Sequence, residues 1–483
     1  MKTRGGYNIR LQGKPSKELM VLKEPTILHL PLETRRFSFT EIHVKDGDRV
    51  MQGAILASDP ENQNVPLIAA RGGTVNLKMV AGHVTLENLE AKAEKSEPPV
   101  PPSYGPKKGS GSGETTEDGI SKKSGWQSHP GNPKLVEELT GTLLRRGAWQ
   151  FFSDAFTGRL PDPSAAPQAI IISTVNLEPF SVRGDVQLEA HFEEFVAAVE
   201  KLQPVLEYQP VWMVFPIYRS ELGNKVRDFA RGKAWIRIAE IERKYPNDND
   251  RLLAKRLGLK ASDGPVWCVR TEGIMATHCA LVRNTSACNR AIAVGGPSVA
   301  KPSHMYALSG YPIDSIMEQV GLTEESRVIM GGALTGREVD GQIKGLDAES
   351  TSITALPVTY RREILSFVMP GFGKRSYTNT FASLIRPKFD ERIPTILYGE
   401  VRPCINCGYC VDVCPAGIFP SAIHKANYAN DFDSIEKFKP MLCVECGLCS
   451  YVCTSKIDLF KEILDVKEAL RKEAELLAEG ATE

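Results

Sequence analysis

A chain of 483 residues exceeds what one hydrophobic core organises, since domains run to roughly 100–200 residues, and three or four domains are expected. With 59 basic and 59 acidic side chains the formal net charge is zero, which excludes a general electrostatic attraction to nucleic acid or to an anionic membrane surface. No apolar run approaches the roughly 18 residues of a membrane span, and the positive start at Met1–Gly6 has no apolar stretch behind it, so neither a membrane helix nor a secretory signal is expected and the cytoplasm is the expected compartment.

Residues 1–95 form the first expected domain. Ile42–Val50, Gly53–Leu56 and Ala69–Val75 are short β-prone runs broken by Asp46-Gly47 and Gly72-Gly73, which predict tight hairpin turns. The pattern resembles the barrel-sandwich hybrid of biotinyl and lipoyl domains. A carrier needs a lysine at the hairpin tip, and no lysine occurs between Val50 and Ala70, so a structural docking domain is expected. Residues 96–130 change to Pro, Gly, Ser, Lys and Glu, as in Pro98-Pro99 and Gly109–Gly113, a composition that predicts a flexible linker.

Residues 131–285 alternate strand and helix signals. An apolar run at Ala169–Val175 precedes a helical face of Leu188, Phe192, Phe195, Val196, Val199 and Leu202; Val211–Ile217 reads as a strand, and Leu222, Val226 and Phe229 as a second helix leading to Ala234–Ala239. This order predicts a Rossmann-like parallel sheet. The glycines in the zone where a phosphate-binding turn is expected, Gly141, Gly147 and Gly158, are too widely spaced to aim several amides at one anion. From 286 to 355 glycines crowd strand-like runs, at Gly295-Gly296, Gly310 and Gly331-Gly332, marking turns or close approach of backbone to another group. Residues 356–395 are a connecting segment.

Eight of the eleven cysteines fall in the last domain, 396–483. Cys404, Cys407, Cys410 and Cys414, with Pro415 following, are spaced x2, x2, x3, and Cys443, Cys446, Cys449 and Cys453 repeat that spacing. Thiolates with two residues between them converge on one face of a 4Fe-4S cluster, and in two-cluster ferredoxins the fourth cysteine of each run ligates the other cluster. Cluster 1 is thus expected on Cys404, Cys407, Cys410 and Cys453, and cluster 2 on Cys443, Cys446, Cys449 and Cys414. Two structural zinc sites are the rival, but tetrahedral zinc gives no reason for a third and a fourth ligand at these spacings, twice over. Gly408 and Gly447 either turn amides toward cluster sulfides or simply permit a tight turn. Thr454 stands where the pattern has proline. Cys268, Cys279 (beside His278) and Cys288 match no ligand spacing and read as free thiols.

The order of parts resembles the peripheral subunits of two related ion pumps, the C subunit of the Rnf ferredoxin:NAD oxidoreductase and the A subunit of the sodium-translocating NADH:quinone reductase. The quinone-reductase likeness rests on Gly6–Pro15, Phe367–Gly371 and Cys449–Cys453; the Rnf likeness rests on both cysteine runs, on Lys244-Tyr245-Pro246 with Arg251-Leu252-Leu253, and on Gly296–Pro302, which looks like a soluble-ligand-binding β-grasp (SLBB) motif. The resemblance implies an α+β multidomain chain: barrel-sandwich hybrid, Rossmann-like domain, SLBB-like β-grasp and helical dicluster ferredoxin domain. It implies an electron-transfer subunit without bond-making chemistry of its own, peripheral on the inner face of the membrane. The implied partners are the membrane subunits of such a complex, with ferredoxin, NADH or quinone as redox partners. The alternative is a soluble flavin and iron–sulfur NADH dehydrogenase or corrinoid reductase. Where the Rnf protein would hold FMN this chain reads Arg145–Phe152, and the acidic element after it is reduced to Asn176-Leu177-Glu178-Pro179, so weak FMN binding and little NADH oxidation are expected.

Overall fold

The computed structural model describes residues 5–91, 133–205, 209–216, 221–358 and 401–480. The segment expected as a linker at 96–130, the connecting segment from 359 on and the Phe367–Gly371 motif lie outside these residues.

The N-terminal unit contains β1 (Leu19–Met20), β2 (Leu28–Pro31), β3 (Glu41–Ile42), β4 (Arg49–Val50), β5 (Ile55–Asp59), β6 (Val65–Ile68), β7 (Gly73–Asn76) and β8 (His83–Glu87). A four-stranded antiparallel sheet, order β2-β8-β7-β4, faces a three-stranded one, order β3-β5-β6, and between them lie Leu28, Leu30, Leu56, Val65, Leu67, Val75 and Leu86, each at most 2% exposed. Gly47, at φ +87°, makes the expected turn. Gly72-Gly73 does not: Gly73 opens β7, and glycine is needed because a Cβ there would lie 2.7 Å from the Glu87 carbonyl. At the β5–β6 tip Gln63 accepts from Trp149 Nε1 (3.0 Å) and donates to the Pro161 carbonyl (3.0 Å), so this tip holds the neighbouring unit.

That unit consists of α1 (Pro133–Arg145), β9 (Phe152–Asp154), β10 (Ala169–Ser173), α2 (Gly184–Leu202), β11 (Val211–Pro216), α3 (Glu221–Ala230), β12 (Ile236–Ile241), α4 (Asp250–Arg256), β13 (Val266–Arg270) and α5 (Thr271–Leu281). The sheet order is β12-β11-β10-β13-β9, parallel except for the edge strand β9. Its three central strands, β11, β10 and β13, are apolar on both faces, as a sheet covered by helices requires. The helical face read from the sequence is buried at four of its six positions. Leu188, Phe195, Val199 and Leu202 are buried, Phe192 and Val196 are half-buried, and the helix is broken at His191 (φ −137°, ψ 41°).

The third sheet is built from β14 (Asn289–Gly295), β15 (Ser303–Leu308), β16 (Ser326–Met330), β17 (Arg337–Glu338) and β18 (Ser352–Pro357), with α6 (Ile313–Val320) packed on it. Strand β1 crosses from the N-terminus to complete the order β1-β15-β14-β18-β16-β17. The dense glycines here answer to backbone meeting backbone. Gly296, at φ +124°, has the Ala355 carbonyl 2.0 Å from where a Cβ would sit, and its amide donates to the Gly13 carbonyl (2.9 Å).

The C-terminal unit is helical: α7 (Tyr409–Asp412), α8 (Pro420–Tyr428), α9 (Phe432–Lys437), α10 (Leu448–Tyr451) and α11 (Leu459–Gly480). Ile418, Ile423, Ile435, Ile463 and Val466 form its core, and Cys414, Cys443 and Cys449 pack against it. Among the described residues no helix is long and apolar enough to cross a membrane.

Candidate iron–sulfur centres

The two cysteine runs repeat at an offset of 39 residues, and the backbone repeats with them. Asn406 and Glu445 are both left-handed (φ 56° and 54°), as are Gly408 and Gly447 (80° and 70°) and Gly417 and Lys456 (72° and 58°). Helix α7 corresponds to α10 and the start of α8 to the start of α11. Each run is therefore one loop, with a left-handed residue on either side of its second cysteine and a helical turn carrying the third.

The fourth cysteine of each run faces the other run. One pocket is lined by Cys404, Cys407, Cys410 and by Cys453 from the second run. Burial pushes the Cys410 and Cys453 thiols up first; the neighbouring thiols that add to the shift are Cys407 and Cys453 at Cys410, and Cys407 and Cys404 at Cys453. Cys443, Cys446 and Cys449 are likewise pushed up by burial, and Cys414 of the first run is the charge that adds to all three. The set with Cys453 is the outer one, where Cys407 is exposed; the set with Cys414 is the inner one. Among the described residues no three His, Cys, Asp or Glu side chains converge closely enough to hold a single ion. A zinc ion needs its sulfurs about 2.3 Å from one centre, whereas the four irons of a cubane spread their thiolates apart.

Donors toward sulfur are present in both sets. The Glu445 amide donates to Cys443 Sγ and the Ile457 amide to Cys453 Sγ, each at 3.4 Å. Where the first run has Pro415, the Thr454 hydroxyl stands 3.7 Å from Cys407 Sγ. Gly408 has open space around it, so its left-handed backbone alone calls for glycine, whereas at Gly447 a Cβ would also meet the Leu334 carbonyl at 2.8 Å. Eight thiols in two groups of four, seven of them buried or half-buried and one in each group accepting from a backbone amide, fit a pair of cubanes in donor chemistry and number.

The α/β unit grips the inner loop directly, and further contacts tie the upstream units to its surroundings and to the first run. The Tyr245 hydroxyl donates to the Cys446 carbonyl (2.7 Å), Asn249 Nδ2 to the Val444 carbonyl (3.0 Å) and Arg251 Nη1 to the Met441 carbonyl (2.7 Å). Glu178 accepts from the Leu334 and Thr335 amides (2.9 and 2.8 Å), and burial raises its carboxyl above the usual range. Gly6 donates to the Val413 carbonyl (2.9 Å). Sequence singled out Tyr245 and Arg251 only through resemblance and missed Lys467, whose ammonium meets Cys443 and Glu445. Its signal was a lysine inside the apolar stripe Ile463, Val466, Leu470.

A doubly wound sheet offers its ligand crevice where strand order reverses, here between the C-terminal ends of β10 and β13. The turn leaving β10 is Thr174–Arg183, not the zone of Gly141, Gly147 and Gly158, and it contains no glycine. Arg270 fills the crevice, donating to Ser173 Oγ (3.2 Å), the Val175 carbonyl (2.8 Å), the Asp248 carbonyl (2.7 Å) and Asp250 Oδ1 (2.8 Å). The three remaining cysteines stay apart from both sets: Cys268 and Cys288 are buried, Cys279 half-buried, and burial pushes the Cys288 thiol up to about 12.

Comparison with known proteins agrees with this division of the chain. Residues 135–276 match the family described as the NqrA second alpha/beta domain, and residues 403–457 match the 4Fe-4S dicluster domain. The chain is 22% identical to the A subunit of the Na(+)-translocating NADH-quinone reductase of Marinomonas sp. over 432 residues, which cover 89% of this chain and 90% of that one. Against the same protein of Shewanella denitrificans it is 22% identical over 473 residues, covering 97% and 98%. Against that of Alcanivorax borkumensis it is 23% identical over 318 residues, covering 65% and 69%. A solved NAD+-reducing NiFe hydrogenase in the H2-reduced state overlaps 47% of this chain and 47% of its own at a TM-score of 0.36 and 14% identity, a likeness too weak to carry an argument.

Proposed function

From a chain that is related along its length to the A subunits of the sodium-translocating NADH-quinone reductases and ends in a 4Fe-4S dicluster domain, we propose a peripheral electron-transfer subunit of an Rnf- or NQR-type ion-translocating oxidoreductase. The observation that carries the reading is the pairing of each fourth cysteine with the opposite run. Cys404, Cys407, Cys410 and Cys453 would hold one cluster, and Cys443, Cys446, Cys449 and Cys414 the other. Bound 4Fe-4S clusters take up and release single electrons.

The chain's own residues supply placement and environment. Exposure of Cys407 leaves the outer site accessible to a one-electron partner, while the Tyr245, Asn249 and Arg251 donors hold the inner loop against the α/β unit. Membrane subunits are the proposed neighbours, on the cytoplasmic face, with ferredoxin, NADH or quinone at the ends of the chain of transfer. Arg270 in the crevice supports a unit that binds little FMN. The sheet orders support the names given from sequence for the first three units, barrel-sandwich hybrid for 1–95, Rossmann-like for 131–285 and SLBB-like β-grasp for 286–355, and the helical C-terminal unit with its match over 403–457 supports dicluster ferredoxin for 396–483.

Stepwise reduction of the anaerobic protein by dithionite, followed by EPR, tests this reading. Two paramagnetic signals of reduced 4Fe-4S clusters are expected, both reoxidised on adding an oxidised one-electron acceptor. Iron that gives no change of oxidation state would leave a scaffold with inert clusters instead.

A further inference from the structure

The 39-residue repeat gives each residue beside one cysteine set a counterpart beside the other, and the mismatches show how the two sites differ. The largest mismatch is Lys467 on α11. It is 4% exposed, and its Nζ lies 3.4 Å from the Cys443 carbonyl and on the Glu445 carboxylate. Its counterpart is Tyr428, 87% exposed on α8. Glu445, in turn, corresponds to neutral Asn406 and also meets Arg35 Nη2 at 3.5 Å. Glu445 is thus the carboxylate on the Lys467 ammonium and is shared with the half-exposed Arg35, which also faces Glu178. The outer loop has a cation as well, Lys425, whose Nζ lies 2.5 Å from Asn406 Oδ1, but Lys425 is exposed to water.

Burying an ammonium is costly, so a lysine withdrawn from water needs a negative counterpart close by. Here that counterpart is a single carboxylate, shared with Arg35. A cluster on Cys443, Cys446, Cys449 and Cys414 would be a second, and reduction would add one further negative charge there. Burial by itself disfavours that added charge, and this site lies against the apolar core of Ile423, Ile435, Ile463 and Val466. A cation at low effective dielectric opposes this several-fold more strongly than an equally distant one in water.

We propose that Lys467 sets the reduction potential of the inner cluster, holding it above the value burial alone would give and so making the inner site the acceptor for electrons that enter at the exposed outer site. The proposal rests on the reading of the eight cysteines as two cluster sites. Lys467 acts as a fixed charge and forms no bond to the cluster; one electron arrives and none of its protons need move.

The test is a potentiometric EPR titration of the full chain, with the inner signal identified as the one that Cys446→Ala removes. In Lys467→Met the inner midpoint should fall by at least a tenfold change in the one-electron equilibrium, about 59 mV, while the outer midpoint stays in place. Lys467→Arg should restore the wild-type value, and Glu445→Gln, which removes the anion, should move the inner midpoint up. An unmoved inner midpoint in Lys467→Met with iron retained overturns the proposal. If that variant loses iron, Glu445→Gln decides, and the absence of an upward shift there overturns it. A wild-type chain that binds no iron overturns the cluster reading, and this proposal with it.

Discussion

At the scale of single residues, the sharpest consequence concerns Cys414, which belongs to the first run in sequence and lies beside the second in space. Replacing Cys414 with Ser should abolish the EPR signal that Cys446→Ala also abolishes and should spare, at least in part, the one lost in Cys407→Ala; some collateral loss follows because an empty site also loosens its loop. Loss of the same signal in Cys414→Ser and Cys407→Ala would mean that each run ligates locally. The ligand spacing was legible because each loop is local: six of the eight ligands sit three residues from a neighbouring ligand. The surroundings were not. Arg270 reaches Ser173, Val175, Asp248 and Asp250, and Lys467 reaches Glu445, through contacts that only the folded chain brings together.

At the scale of elements, the two cluster loops share a backbone but not a setting. Gly408 and Gly447 each occupy the left-handed region, where an alanine costs about 1 kcal/mol. Only Gly447 is also packed, against the Leu334 carbonyl, which belongs to the loop fastened by Glu178. Gly447→Ala should therefore lower the thermal midpoint and the iron content clearly more than Gly408→Ala, and equal effects would mean that the Leu334 contact carries no stability. Elements with strong local signals emerged from sequence close to their boundaries: the Val211 and Ala169 strands, and α3. Others depended on distant partners. Strand β1 exists by pairing with β15, and the break at His191 within α2 is not announced by the periodic face that runs across it. The phosphate-turn zone expected from sequence falls around β9 rather than after β10, because a short antiparallel edge strand is not separable by periodicity from the parallel strands that follow.

At the scale of the whole molecule, the units meet through buried carboxyls, and these make stability depend on pH. Glu272, held by Gln187 and facing Arg290 across the boundary between the α/β unit and the third sheet, is pushed up to about 7 by burial. Its unfolded-state value is 4.5, so the native state keeps the proton longer. Stability is therefore greatest below the unfolded value and falls as pH rises from about 4.5 to 7, by about 3 kcal/mol at most from this group. Burial raises Glu178 and Asp248 in the same direction. Denaturant melts at pH 5 and pH 8 should show Glu272→Gln with a smaller loss of stability than wild type across that interval; an unchanged loss would place the titration elsewhere. The same convergence of units brings the inner cysteine loop under the control of the α/β unit, the third sheet and the N-terminal segment, and its purpose depends on what the eight thiols bind. The most direct measurement is metal and acid-labile sulfide analysis of the anaerobically purified chain: about eight irons and eight sulfides per chain are expected from two cubanes, and stoichiometric zinc with neither iron nor sulfide would contradict it.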